Sequence, residues 1–479
     1  MIRKRLPDSL LPQYHERLLV VRLQPDLQGV AVSAALRPAA VVPALSPISP
    51  AIGHMIKSGM VRRIVPLARQ ATSGFVDPVR AIAAAFVDTP RRAQPLINGT
   101  AFIELEHGVD ITAACNQIAQ DAQTLFVSRV PMRYAMARRA RRSRARGTAP
   151  ARPAAAPPAS ILWNLAKIEW KAARARRGFT DADAVKVAVL DTGVDANHPD
   201  LKGRVSSYVY EHPDDVSVSA VKDIVGHGTH VSGTIGARIG NRLGIDGICG
   251  CDLRVWKIFA DQPLLIDLFE GYAYVVDPIM YSRALADCAE DQIDVMNLSI
   301  GGPAPPDPQE RQLFNALTTG GTVVCAAMGN ERAAGSPTSY PAAIEDVIAV
   351  GATSVNDAVT SFSNRGDHIA LCAPGKGIWS TLPTYDGQFG FEAVRADGGI
   401  KEGKPYRRER DYDSWDGTSM ACPHATAAAA LYTAKRGRVG PSAVKQALQK
   451  SADKVAGMGG RSFHPDYGAG RLNLRRLLA

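Results

Sequence analysis

The sequence predicts an α/β protein: a doubly wound, mostly parallel sheet with helices on both faces, plus a small N-terminal α+β domain. Three observations predict it. Near-continuous apolar runs (VKVAVL, DVMNLSI, TVVCAA, VIAVGA and HIALCA) recur beyond residue 160, as strands buried on both faces do. Helical stretches (GTHVSGTIGARI, YSRALADCAED, ERQLFNALTT, SMACPHATAAAALYTA and PSAVKQALQKSA) lie among them, the alternation of a parallel sheet. An Arg/Pro/Ala-rich stretch at 137–160 separates this part from a different, shorter pattern before it.

In that first part, residues 1–136, the runs are RLLVVRL, MVRRIVPL, VRAIAAAF, TAFIELE, ITAACNQIAQDA and TLFVSRV. Ile111, Ala114, Cys115, Ile118 and Ala119 keep the spacing of one helix face, and Asp110 stands where a cap belongs. Strand, helix and strand in that order make an α+β module. The stretch that follows holds six arginines in RRARRSRAR and then turns to GTAPARPAAAPPAS. A solvated linker is one reading of it, and nucleic-acid binding is the other.

At 479 residues the chain exceeds one ordinary core, so two or three domains are expected. Hydrophobic content of 46% with 21% charged residues is that of a globular protein. The net charge of +10 is largely local to the arginine run. The opening MIRKRLPDSLLPQYHERLLVVRLQPD lacks the apolar core of a secretion signal. No uncharged apolar run is long enough to cross a bilayer. Seven scattered cysteines include no paired metal set. The expectation is a cytoplasmic protein without a membrane partner.

Active sites of such sheets gather at the carboxyl ends of the strands. VKVAVL runs into DTGVD, leaving Asp191 at a strand end. Its carboxylate could bind a metal, cap a turn or orient a histidine. GHGTHVSGT puts His227 between glycines where a helix starts, and DGTSMACPH puts Ser419 at another helix start. Unpaired N–H groups there can stabilise an oxyanion formed on the serine. Singly, each of these residues is more often structural.

Together, VLDTGVDANHPDL, GHGTHVSG and GTSMACPHATA, in that order, resemble the subtilisin-like serine proteases, the subtilase family. The likeness covers roughly Ile161 to Leu478, within a catalytic domain expected at 161–479, and implies a serine endopeptidase with Asp191, His227 and Ser419 as its triad. No cofactor is then needed for chemistry, and the partner is a protein or peptide substrate. Asn330, in VVCAAMGNERAAG, would be the side-chain donor to the oxyanion. His230, in HGTH, would be structural. NLSIGGP matches the family's substrate-pairing edge, so a peptide would lie along Ser299, Ile300 and Gly301, and Ala327, Met328 and Gly329 would also bind substrate.

The likeness also implies weaker features. Asp200 and Asn241, with the carbonyls of Leu243 and Ile245, fall near a calcium site of relatives, although two arginines lie in that loop. Residues 97–131 resemble the family's propeptide, so the N-terminal region would act as an intramolecular inhibitor, with self-cleavage between about Val130 and Ser160. A permanent accessory domain is the alternative. Two segments exceed the family minimum. ADQPLLIDLFEGYAYVVDPIMY reads as an apolar wall beside the substrate or as a packing insertion. TYDGQFGFEAVRADGGIKEGKPYRRERDYDSW reads as a mobile surface loop. Outside the protease reading, a protein-binding scaffold and a nucleic-acid-associated protein are the alternatives.

Overall fold

The structure, a computed structural model, describes residues 12–24, 49–67, 94–135, 138–139, 161–209, 222–261, 264–266, 271–396 and 399–479. The first part contains β1 (Tyr14–Leu23), α1 (Pro50–Lys57), β2 (Val61–Pro66), β3 (Thr100–Leu105), α2 (Ile111–Ala119) and β4 (Thr124–Pro131). Its four strands pair antiparallel in the order β2-β3-β1-β4. Side-chain alternation gives the sheet two buried faces. Leu19, Val21, Ala101 and Ile103 pack against Ile52, Met55, Ala114 and Ile118 of the two helices. Val20 and Phe102 point the other way, into a core shared with the second domain. Asp110 caps α2 by accepting from the N–H groups of Thr112 and Ala113, as the spacing predicted. The expected VRAIAAAF segment lies outside the described residues.

From β4 the chain runs through Met132 and Arg133 into two short strands, β5 (Tyr134–Ala135) and β6 (Arg138–Arg139). The rest of the arginine run and the Pro/Ala stretch lie outside the described residues.

The second part opens with β7 (Lys186–Asp191), β8 (Val205–Val209), α3 (His227–Gly236) and β9 (Asp252–Lys257). A small hairpin of β10 (Leu264–Ile266) and β11 (Gly271–Ala273) follows, then α4 (Pro278–Glu290). Next come β12 (Val295–Leu298), β13 (Ile300–Gly301), α5 (Pro308–Thr319), β14 (Val323–Ala327), β15 (Ile348–Thr353) and β16 (Ile369–Pro374). The chain ends through β17 (Ile378–Thr381), β18 (Gln388–Ala396), β19 (Gly399–Arg407), β20 (Tyr412–Asp416), α6 (Thr418–Arg436) and α7 (Pro441–Ser451).

Seven of these strands form one parallel sheet in the order β16-β15-β14-β12-β7-β9-β8. Period two again divides its faces. Val187, Val189, Val255 and Cys325 meet Val231, Ile235, Ala425 and Leu448 of α3, α6 and α7. Ala188, Leu190, Met296 and Val324 meet Ile279, Leu285, Leu313 and Phe314 of α4 and α5. The doubly wound α/β expectation holds. The sequence reading did not call β8, a serine-interrupted edge strand, or β9, whose charged residues break the apolar run.

The N-terminal sheet docks on α4 and α5. Arg283 donates to the carbonyls of Pro66 and Leu67. Gln309 donates to Leu96 O at 2.8 Å and accepts from Thr100 Oγ1 at 3.0 Å. Val130 joins Val20 and Phe102 in the apolar core beneath.

The segment expected to be a mobile surface loop instead carries a paired hairpin, β18 with β19, followed by β20 against β17. Backbone groups that an irregular loop would leave to water find partners within the segment itself. Among the described residues, no helix is long and apolar enough to cross a membrane.

Candidate functional site

Asp191 is the last residue of β7 and is fully buried. His227 Nδ1 donates to its Oδ1 at 2.6 Å, and the Thr192 N–H donates to the same oxygen at 2.7 Å. His227 opens α3 after Gly226, whose φ of 88° is a left-handed conformation open to glycine. Its outer nitrogen, Nε2, has no hydrogen-bond partner among the described residues.

A second carboxylate, Asp223, holds this arrangement together. It accepts from Thr192 Oγ1 (2.8 Å), the Gly226 N–H (2.8 Å), and the Thr229 N–H and Oγ1 (2.9 and 2.7 Å). Thr192 Oγ1 in turn accepts from the Gly228 N–H at 2.9 Å. The β7 exit loop and the start of α3 are thereby fixed to each other. A Cβ on Gly228 would run into the Gly193 carbonyl, so the close approach requires glycine there. Sequence reasoning missed Asp223. Its only signal was an acid four residues before His227 in DIVGHGTH.

Ser419 lies in the first turn of α6 and is fully buried. Its Oγ donates to Ser299 O at 3.0 Å, and Ser299 Oγ donates to Ser419 O at 2.9 Å. Trp415, just before the helix, stacks on His230 at 5.1 Å and stands 6.2 Å from the His227 ring. His230 Nε2 is bonded to Ile378 O at 3.0 Å. Burial, and after it the neighbouring His227, pull the His230 pKa down to about 3. A neutral, enclosed imidazole suits a structural part.

Asn330 is buried, and its Oδ1 accepts from Thr418 N–H and Oγ1, both at 3.0 Å. The carboxamide is oriented by the residue beside Ser419. Gly329, with φ 101°, donates to Thr418 Oγ1 at 3.2 Å. A Cβ there would strike the side chain of Asn364. Ala327 and Met328 are fully buried, their side chains in the two opposite cores. Neither presents side-chain surface, because β14 and the residue that follows it are covered on both faces of the sheet.

Ser299, Ile300 and Gly301 form the edge expected to pair with a peptide, and a strand already lies on it. Ile300 pairs antiparallel with Ala135, and Gly301 with Tyr134. On the other side of the added strand, Tyr134 bridges Val275, and the Val276 N–H donates to Arg133 O at 2.9 Å. The first long segment therefore borders the occupied groove through Val275 and Val276. Farther along, Asp416 pairs with Arg138 and Trp415 with Arg139. The protein's own chain is thus paired both with Ile300 and Gly301 and with the strand that leads into the helix of Ser419.

The calcium expectation does not fit the geometry. Asp200 Oδ1 accepts from Asn241 Nδ2 at 2.7 Å, and Oδ2 accepts from Ile245 N–H and Tyr412 Oη at 3.0 and 2.9 Å. Asn241 Oδ1 accepts from the Leu243 N–H. Donors surround this carboxylate, whereas Ca²⁺ needs a cage of oxygens.

Comparison with known proteins follows the same lines. The model of the subtilase family matches residues 182–470. The major intracellular serine protease of Bacillus subtilis (strain 168) is 36% identical over 252 residues, covering 52% of this chain and 67% of that protein. Subtilisin of Bacillus pumilus is 32% identical over 319 residues, covering 66% of this chain and 98% of that protein. The crystal structure of fervidolysin from Fervidobacterium pennivorans, a keratinolytic enzyme related to subtilisin, matches 98% of this chain with a TM-score of 0.64. This chain spans 62% of that one at 22% identity, so the likeness speaks for the fold.

Proposed function

The chain belongs to the subtilase family of serine endopeptidases, and from that premise we propose that it hydrolyses peptide bonds through Asp191, His227 and Ser419. The observation that carries the reading is the 2.6 Å bond between His227 Nδ1 and Asp191, which leaves Nε2 unpartnered at the outer side of the ring. A neutral imidazole held in that tautomer is a base. Rotation of the Ser419 hydroxyl away from Ser299 O hands its proton to Nε2 while Oγ bonds to the peptide carbonyl carbon. The carbonyl electrons move to oxygen, where the Asn330 amide and the N–H groups of the α6 terminus stabilise them. His227 then returns the proton to the departing amine, and water repeats the cycle on the acyl-enzyme. Asp191 stabilises the imidazolium between these steps.

The same reading makes the N-terminal domain an intramolecular inhibitor, supported by the strand it lays on Ile300 and Gly301. The two anchor pairs leave only residues 136 and 137 between them, so self-cleavage falls between Ala135 and Arg138. Calcium has no part in the reading at Asp200. Neither the family match nor the relatives support the scaffold or nucleic-acid alternatives.

A Ser419→Ala chain beside the wild type, each incubated with a peptide library and read by mass spectrometry, tests this. Turnover is expected to fall about 10⁶-fold, the loss found for the equivalent serine in subtilisin, a member of the same family. Cleavage that survives in the alanine variant defeats the proposal.

A further inference from the structure

Arg133 enters the second domain with its whole side chain. Only 2% of that side chain is exposed, and its partner Glu310 shows 6%. The guanidinium grips the carboxylate with two bonds, Nε to Oε1 at 3.2 Å and Nη2 to Oε2 at 2.7 Å. Nη1 donates to Ala304 O at 2.9 Å and to Met132 O at 3.2 Å. Tyr281 Oη donates to Glu310 Oε1 at 3.3 Å. Asp307, which caps α5 through the Glu310 N–H, stands beside them. Burial and the neighbouring Glu310 raise its pKa to about 7.

Apart from Met132 O, every group that receives the guanidinium belongs to the second domain. Arg133 directly precedes Tyr134, which pairs with Gly301, and its own carbonyl is pinned by Val276. An extended peptide laid in this register brings its side chain at the Arg133 position to the same carboxylate. The geometry points to an arginine-binding subsite, formed by Glu310, Ala304 O and Tyr281, that selects peptide substrates carrying arginine immediately before the dipeptide paired with Ile300 and Gly301. This rests on the reading of that edge as the substrate strand.

A planar, bidentate partner favours arginine over lysine, which offers only a point charge. A neutral side chain of equal size leaves the enclosed Glu310 carboxylate without its cation, which is costly. The preference therefore comes from the partner's charge and shape.

The test uses the purified chain after the incubation in which it shortens itself, with the ten-residue peptide VPMRYAMARR, residues 130–139. A second peptide replaces the arginine at the position of Arg133 with citrulline, a neutral near-isostere. The arginine peptide is expected to show a kcat/KM about 10–100-fold higher. In Glu310→Gln the ratio is expected to fall to within about threefold of one, with folding checked by circular dichroism. Equal cleavage of the two peptides by the wild type overturns the subsite alone and needs no variant. An undiminished ratio in folded Glu310→Gln overturns the assignment to that residue. Cleavage of neither peptide by the wild type overturns the underlying reading of the site, and the subsite with it.

Discussion

Gly301, two residues beyond Ser299, pairs antiparallel with Tyr134, a residue the chain reaches directly from its N-terminal sheet. Tyr134 is also tied to that sheet's side, its hydroxyl donating to Pro12 O at 2.8 Å. One backbone therefore belongs to both halves, running from the N-terminal sheet onto the edge beside Ser299.

Processing follows from this register. N-terminal sequencing of wild type after incubation is expected to find a new terminus at residue 136, 137 or 138. Ser419→Ala is expected to stay full length. A first cut beyond residue 139, or a wild type that never shortens, contradicts the placement.

Asp223 positions the histidine, so Asp223→Asn turns an NH₂ toward N–H or O–H donors that now meet an oxygen. The cost is about 1–3 kcal/mol of stability. A slight displacement of His227 lowers kcat about 10²-fold. Steady-state kinetics beside a thermal melt check both, and unchanged kcat refutes the positioning.

At Asp200 the carboxylate serves N–H and O–H donors from Asn241, Ile245 and Tyr412. Asp200→Asn is expected to lower Tm by the same amount in millimolar calcium and in EDTA. A loss seen only with calcium present would restore a cation to the site.

His424 is fully buried, its Nδ1–H donating to Met420 O and its Nε2 accepting from Asn164. Burial holds its pKa at about 4 against an ordinary 6.5. The unfolded chain takes up the proton first, so this contribution is present above pH 6.5 and is lost as pH falls toward 4. The loss reaches roughly 2 kcal/mol by pH 5. Unfolding titrations of wild type and His424→Gln between pH 8 and 5 should show a shallower slope in the variant.

Much of the fold was legible because its signals are local. Five apolar strands and five helices of the second domain are found where the runs placed them, since a strand covered on both faces tolerates little polarity. β9 escaped because Asp252, Arg254 and Lys257 look like loop residues until Arg254 meets Asp291 and Lys257 meets Asp261. The hairpin of β18 and β19 escaped because glycine and mixed charge say nothing of a partner strand.

By itself the sequence determined the chemistry on offer: an acid at a strand end, a histidine and a serine at helix starts, and the period-two faces that bring strands and helices together. Those properties depend on residue type and near neighbours. Only tertiary structure decided that Asp223 would brace His227, that Asp200 would meet donors, and that Arg133 would be enclosed by Glu310. Each depends on which residues far apart along the chain become neighbours, and a charge or a lone pair takes its meaning from that neighbour.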